Sequence, residues 1–505
     1  MAKNLEQLMA FMPYSVIQGR LDRIIDAVTH DSRTVSPGTL FFCLSGVHVD
    51  GHNFIATAVR SGAAAVIVEK DVPPLADFDV TIIKVDNTRA AMQTIVPYFF
   101  DFPGRKLRMI GITGTNGKTT TTYLLRSIFR EAGHKVGLIG TIQTLIDEKA
   151  LPVKNTTPDV IELQSILSEM VQSGMEYAIM EVSSHALALN RVAGCEFDVG
   201  VFTNMTQDHL DFHLTFENYI AAKAELFRQL SQADSTKTGK TAVINFDDSA
   251  GAIMAKHAAC PVISYAVNKE AVLTADHVVV KSAGTSFHIT GPFGSMEVQL
   301  SITGMFNVYN VLAAVGAALA EGIEPAVIKR ALEGFRSVPG RFELVPAGQP
   351  FTVIVDYAHT PDGLENVLRT AKQFATGKII VVFGCGGDRD RTKRPIMGKL
   401  AAQYGDIVIA TSDNPRSEDP EKILTDIEIG IKEALAGAST QQKRYEVIVD
   451  RRQAILKAIT MAEPQDVVLI AGKGHETYQI LKDKTIDFDD RQVAREVIGE
   501  MIKNG

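Results

Sequence analysis

"RMIGITGTNGKTTTTYLLRSIFREAG", residues 108–133, decides the fold. An apolar run, a glycine-bearing loop and a segment of helical period opening on Lys-Thr read as strand, phosphate loop and helix. That is the unit from which doubly wound parallel sheets are built. The usual phosphate loop has a glycine, four residues, then Gly-Lys-Thr. Here Gly117, Lys118 and Thr119 are in place, but Ile112 stands where the first glycine belongs, and Gly111 and Gly114 lie to either side of it. Backbone N–H groups freed by Gly114 and Gly117 can face phosphate oxygens at the helix N-terminus. Lys118 can neutralise the outer phosphates and the Thr119 hydroxyl can ligate Mg²⁺. The plainer reading is a glycine-rich turn with an exposed lysine. Its place between strand and helix, and the threonine run, favour nucleotide binding.

Outward from this loop the same alternation continues. "KVGLIG", "YAIMEVSS" and "FDVGVFTN" are predicted strands, with a helix over "DVIELQSILSEMVQSG". Around 277–304, short alternating runs with glycine turns predict a small antiparallel patch at the side of the sheet, and helices near 305–335 close the segment. Before it, residues 1–105 mix strands ("TLFFCL", "AAAVIVEK", "VTIIKVDN") with helices, and "DFPGRK" (101–106) has the composition of a linker. After "SVPGR", five apolar runs each end in a polar loop: "FTVIVDYAHTPD", "KIIVVFGCGGDRD", "DIVIATSDNPR", "YEVIVDRR" and "DVVLIAGKGHE". The expected architecture is α/β in three domains. A central P-loop domain (106–337) is flanked by an α/β N-terminal domain (1–105) and a Rossmann-like C-terminal domain (338–505).

Bulk composition agrees. The 505 residues exceed one ordinary core, and 46% hydrophobic with 22% charged residues is typical of a water-soluble globular chain. A net charge of −8 and the absence of a Lys/Arg run argue against a nucleic-acid partner. The four cysteines include no close pair, which excludes a CxxC zinc site and argues against a disulfide scaffold. Asn4, Glu6 and Gln7 interrupt any apolar leader, and no stretch approaches the roughly 20 apolar residues of a membrane helix. A cytoplasmic location without membrane partners is expected.

Several strand ends carry polar residues. Glu181 ends "YAIMEVSSH", where an acid beside a P-loop commonly serves the metal, although a strand-end cap would look the same. "DHLDFH" places Asp208, His209, Asp211 and His213 within six positions; a lone histidine is more often a hydrogen-bonded structural residue. Lys223, on an amphipathic helix, reads as one more solvated lysine. "TSDNPRSEDP" sets Arg416 on a proline-fixed turn, where its fork can meet a carboxylate, or the turn is merely a helix start. Arg389 and Glu476 lie at comparable strand ends; a cation and an anion near each other would suit an amino acid.

Taken in order, "TGTNGKTT", "NTTPD", "EVSSHAL", "DHLDFH", "GMFNVYN", "PGRFE", "DYAHTPD", "GGDRD", "DNPRSEDP" and "AGKGHE" resemble the Mur ligase family, the ATP-dependent enzymes that build the peptidoglycan stem peptide. The resemblance runs from "HDSR" at 30–33 nearly to the C-terminus, and the displaced glycine is this family's form of the loop. The chain is most similar to the branch that adds meso-diaminopimelate to UDP-N-acetylmuramoyl-L-alanyl-D-glutamate through an acyl phosphate.

By that resemblance Gly114, Thr115, Asn116, Gly117, Lys118, Thr119 and Thr120 bind the ATP phosphates, and Asn307, Arg341, Asp356 and His359 receive the rest of the nucleotide. Thr119, Glu181 and His209 serve Mg²⁺. Lys223 matches a lysine that is carbamylated, its carbamate acting as an extra carboxylate at the metal, and it is expected to act with Lys118 and His209 in catalysis. Ser32, Val47, His48, Val49, Asn155, Thr156, Thr157, Ser183 and Arg191 match positions for the UDP-substrate; Leu189 departs from relatives that carry Gln there. Arg389, Asp413, Asn414, Pro415, Arg416, Gly472 and Glu476 match the diaminopimelate pocket. Lysine-adding relatives usually lack the arginine of "DNPR", and lysine would leave a desolvated guanidinium without its partner. A folylpolyglutamate synthetase shares related loops but not the pairing of "DNPR" with "GKGHE". A P-loop switch protein would be expected to carry an NKxD-type loop, which this sequence lacks. A monomer is expected.

Overall fold

The computed structural model describes residues 2–46, 49–231, 235–436 and 443–504. Its largest sheet has eleven strands, and the P-loop strand Arg108–Thr113 lies inside it, between Tyr177–Glu181 and Val199–Phe202, all parallel. The parallel series continues through Val136–Ile139 on one side and through Thr241–Asn245 and Val262–Ala266 on the other. Such strands read as unbroken apolar runs because helices cover both faces. Ile110 and Ile112 pack under Leu124, Leu125, Ile128 and Phe129 of helix Lys118–Glu131. Met109 faces the opposite layer with Leu163 and Leu167 of helix Val160–Gln172.

The glycine-turn region at 277–304 forms antiparallel strands Leu273–Lys281, Gly284–Gly291 and Gly294–Leu300, which extend the same sheet at its far edge. At the other edge, Thr144–Ile146 and Lys149–Leu151 form a hairpin that the sequence reading passed over, along with the strands at 241–245 and 262–266. Those runs are three to five residues long, too short for periodicity to separate strand from buried coil.

The N-terminal sheet has five strands in the order Ser15–Gln18, Thr81–Lys84, Ala63–Val68, Thr39–Phe42, Ala27–Thr29. Within the segment read as a linker, 101–106, Pro103–Arg105 form a 3₁₀ turn: Pro103 and Gly104 are buried, and a Cβ on Gly104 would lie 2.9 Å from the Gly194 carbonyl oxygen. Proline and glycine served close packing there, not chain freedom.

The C-terminal sheet is ordered Glu343–Leu344, Thr352–Asp356, Val467–Ala471, Ile379–Phe383, Ile407–Ala410, Arg444–Val447, parallel after the first strand. All five runs predicted as strands are strands. Their order sets the loops after 356, 471, 383 and 410 side by side along one edge, the side where open α/β sheets bind ligands. No helix among the described residues is long and apolar enough to cross a membrane.

Candidate functional site

Ile112 is a buried strand residue, so the loop turns after it, at two glycines with left-handed backbones: Gly114 (φ 149°) and Gly117 (φ 86°). A Cβ at Gly114 would stand 1.9 Å from Thr203 Oγ1, and one at Gly117 would stand 2.3 Å from Asn310 Oδ1. The loop is clamped from the neighbouring strand: Asn116 N donates to Asn204 Oδ1 (2.9 Å), and Thr203 Oγ1 donates to the Asn116 carbonyl (2.6 Å). Thr120 is buried behind it in the first helical turn. Lys118 folds back over the loop, its Nζ donating to the carbonyls of Gly114 (2.9 Å) and Thr115 (2.7 Å). Burial pulls its titration down, against the attraction of Glu181 and Asp208.

Strand pairing brings Glu181 to this loop. Thr119 Oγ1 donates to its Oε2 (3.0 Å), and the Thr141 amide and hydroxyl hold the same carboxylate (2.8 and 3.0 Å). Thr141, from the loop after "KVGLIG", was not anticipated. Lys223 is 1% exposed, on the capped helix Phe216–Leu230, and donates to the Gly114 carbonyl (2.7 Å). It is therefore not the solvated lysine its helix pattern implied. Burial, and then the positive Lys118, hold its amine far below the ordinary lysine range. Its ammonium lies over the Tyr219 ring, whose hydroxyl is 3.1 Å from Thr115 Oγ1. His209 has a left-handed backbone (φ 54°) and a ring 4.7 Å from that of His185. Burial lowers its pKa to about 4, so the ring is neutral. His213 is buried, with Nε2 2.9 Å from Ser184 Oγ and its ring 5.1 Å from that of Tyr219, as a structural histidine is held.

The C-terminal unit meets the P-loop directly, through a turn and a helix beside its sheet. Arg341 stacks on the Tyr357 ring (4.6 Å) and donates to Thr119 Oγ1 (3.3 Å), leaving its buried Nε without a partner. Asp362, in "DYAHTPD" but unremarked in the sequence, accepts from Thr206 Oγ1 (3.1 Å) and from Asn116 of the P-loop. Asp356 fixes its own turn by accepting from the amides of Phe342 (2.6 Å) and Ala358 (2.7 Å), and burial raises its pKa. His359 bonds the Tyr357 carbonyl (2.9 Å) and is held neutral by burial. Asn307 is buried, donating to the Thr303 carbonyl (2.8 Å) and accepting from Asn310, the residue that abuts Gly117.

Of the residues matched to the UDP-substrate, Thr157, Ser183 and Arg191 come together. Thr157 Oγ1 accepts from the Ser183 amide (3.0 Å), and Arg191 donates to the Thr157 carbonyl (3.3 Å). Thr156 reaches Thr141 (3.1 Å), which ties this segment to Glu181. Asn155 is exposed, Ser32 lies in a short 3₁₀ turn of the N-terminal unit, and Val49 is 60% exposed. Val47 and His48 lie outside the described residues.

At the edge of the C-terminal sheet, Arg416 (φ 52°) donates to the Gly387 carbonyl (2.8 Å). A Cβ on Gly386 would touch both Arg416 Nη1 (2.9 Å) and Arg389 Cγ (3.8 Å), so the two arginines flank one glycine. The Pro415 carbonyl packs on Gly387, where a Cβ would stand 1.9 Å from it. Asn414 donates to Glu476 Oε2 (2.8 Å), and Lys473 Nζ donates to the same oxygen (2.9 Å). Gly472 (φ 116°) leaves room for Asp413, whose Oδ2 is buried without a hydrogen-bond partner. Arg389 and Arg416 lie by Gly386, Asp413 by Gly472, and Glu476 is paired with Lys473; together they offer charges of both signs, as a zwitterion bearing a further carboxylate requires.

The chain matches three family profiles: "Mur ligase family, catalytic domain" over residues 24–99, "Mur ligase middle domain" over 112–318, and "Mur ligase, glutamate ligase domain" over 340–474. It is 49% identical over 476 residues to the UDP-N-acetylmuramoyl-L-alanyl-D-glutamate--2,6-diaminopimelate ligase of Geobacillus thermodenitrificans, covering 94% of this chain and 95% of that one. The enzyme of the same name from Bacillus cereus is 48% identical over 480 residues, 95% of each chain. A solved structure of a ligase of that name superposes with a TM-score of 0.69 at 32% identity, over 99% of this chain and 100% of that one.

Proposed function

The chain belongs to the Mur ligase family, and from that membership we propose that it joins meso-diaminopimelate to the D-glutamate of UDP-N-acetylmuramoyl-L-alanyl-D-glutamate, at the expense of ATP, in peptidoglycan synthesis. One observation carries the choice of amino acid: Arg416 and Arg389 flank Gly386, and Asn414 of the Arg416 turn is bonded to Glu476. Diaminopimelate differs from lysine by a distal carboxylate, which a guanidinium fork can pair bidentately. Lysine would leave that fork without its carboxylate partner, a penalty of about 1–3 kcal/mol.

The chemistry follows from the poor electrophilicity of a carboxylate. A D-glutamate carboxylate oxygen forms a bond to the γ-phosphorus as the bond to ADP breaks. The amine of the incoming amino acid, having lost a proton, adds to the acyl phosphate carbon, and inorganic phosphate leaves. Gly114 to Thr120 hold the phosphate chain, with Lys118 released from its loop carbonyls to meet the outer oxygens. Asn307, Asp356 and His359 face the rest of the nucleotide, and Arg341 links it to Thr119. Thr157, Ser183 and Arg191 orient the UDP-substrate, with Ser32, Val47, His48, Val49, Asn155 and Thr156 completing its path. Asp413 to Arg416, Arg389, Gly472 and Glu476 hold diaminopimelate.

Thr119 and Glu181 offer hard oxygen donors already paired with each other, and neutral His209 offers a nitrogen, a set that fits Mg²⁺. Bound there, Mg²⁺ supplies neutralisation of phosphate charge. Lys223 as a bare amine is no ligand; its depressed titration keeps it in the neutral form that adds CO₂, and the carbamate is a carboxylate in place of an amine. The matched spans lie inside domains 1–105, 106–337 and 338–505, which supports those boundaries. We propose a cytoplasmic monomer.

The test is phosphate release from ATP with UDP-N-acetylmuramoyl-L-alanyl-D-glutamate, comparing meso-diaminopimelate with L-lysine. Release favouring diaminopimelate is expected. Preference for lysine would discard Arg416 as selector, and no acceptor dependence would discard the ligase.

A further inference from the structure

Arg451 and Asp490 are both fully buried, yet neither belongs to the site described above. Arg451 opens helix Arg451–Thr460, and Asp490 stands in the first turn of helix Asp490–Asn504. The pair is bidentate: Nε donates to Oδ1 and Nη2 to Oδ2, both at 2.7 Å. Two further N–H groups reach carbonyls, Ala471 O from Nη2 (3.0 Å) and Ser412 O from Nη1 (3.4 Å). Ala471 is the last residue of its strand, immediately before Gly472–Glu476; Ser412 immediately precedes Asp413–Arg416. These two strands are not neighbours, since Ile379–Phe383 lies between them, so no ladder hydrogen bond sets one loop against the other.

A buried ion pair is a poor way to gain stability, because desolvating both charges cancels most of their attraction. Burial works against the Arg451 charge, and Asp490 more than offsets it, with Asp413 and Glu476 adding to the attraction. What the arrangement does specify is distance: one rigid planar group fixes the starting points of two loops that otherwise meet through the Asn414 side chain, with Glu476 and Lys473, and farther along through the Arg416 amide donating to the Ile480 carbonyl (3.1 Å). We infer that Arg451, locked by Asp490, is the positioning residue that sets the spacing of the two turns receiving the acceptor amino acid. The inference rests on those turns being the diaminopimelate pocket.

The experiment uses the full chain with steady-state kinetics in each substrate. Arg451→Lys keeps the charge but loses the fork, so it cannot serve Asp490 and both carbonyls together. Its KM for meso-diaminopimelate should rise about tenfold, as expected for loss of one or two charge-assisted hydrogen bonds, with KM for ATP little changed. The double variant Arg451→Met/Asp490→Leu removes both charges at similar volume. It should keep or gain thermal stability and still show the raised KM for diaminopimelate. A double variant with wild-type KM for diaminopimelate would overturn the inference, as would a fall in kcat alone that tracks loss of melting temperature. Arg416→Ala is the control for the pocket itself: if it leaves KM for diaminopimelate unchanged, the pocket assignment fails whatever Arg451→Lys does.

Discussion

Lys223 shows how far a residue's meaning depends on where its helix packs. In the sequence it is one lysine on an amphipathic helix, and only the family resemblance raised it above a solvated side chain. In the fold its amine is buried against the Gly114 carbonyl with Lys118 nearby. A charge so placed is penalised, whereas a neutral amine, or a carbamate facing a cation, is not. Lys223→Ala should lower turnover by about a hundredfold or more, the scale expected when one preorganised charge-stabilising group is removed. Partial recovery with a short-chain carboxylic acid in the assay is expected, and a variant of normal activity would exclude Lys223 from the site. Thr141 is the converse case: it is an ordinary strand-end threonine in sequence, and only strand order brings it to Glu181.

At the scale of the element, the P-loop was legible because its constraints are local. Gly117 needs its left-handed backbone to start a helix that has no side-chain cap, and Asn310 forbids a Cβ there. Gly117→Ala should cost about 1–2 kcal/mol for the backbone alone. The resulting shift of the loop should appear as weakened ATP binding by calorimetry; unchanged affinity would mean that the loop relaxes around the methyl group. The loops carrying Arg389 and Arg416 depend instead on Glu418, a residue inside "DNPRSEDP" to which the motif assigned no role. Glu418 accepts from Arg394 (2.9 Å), from Arg391 (2.7 Å) and from the Asp388 amide (2.6 Å). Those bonds, Arg394 foremost, hold its carboxyl at about 2. A carboxylate depressed in the folded state stabilises above its unfolded value of about 4.3 and loses that contribution as pH falls toward 2. Urea denaturation of Glu418→Gln should therefore show lower stability at pH 7 than wild type, and a flatter decline between pH of about 4.3 and 2. Parallel curves would show that Glu418 is uncoupled from these loops.

For the whole molecule, the junction between the central and C-terminal sheets unites what the sequence supplied as separate motifs. Arg341 reaches Thr119, and Asp362 reaches Asn116 and Thr206, so a turn and a helix of the C-terminal unit touch the phosphate loop itself. Asp362→Ala should raise KM for ATP about tenfold, through loss of hydrogen bonds to a charged acceptor. KM for diaminopimelate should change less, because that recess is held by other residues. Equal rises in both would show that Asp362 acts on domain placement and not on the loop.

The sequence by itself determined the α/β class, the P-loop despite its displaced glycine, the five strands of the last third and the family. Each of these rests on a local pattern: strand length, apolar continuity, or glycines in a fixed spacing between strand and helix. The tertiary structure alone decided that Lys223 is buried, that His213 bonds Ser184 while His209 stays neutral, and that Pro103 and Gly104 pack in a turn. It alone set Glu418, Asp362 and the Arg451–Asp490 pair beside loops far from them in the chain. The physical reason is that desolvation and hydrogen-bond partnership are properties of neighbours in space, and parallel sheets draw those neighbours from strands separated by whole helices.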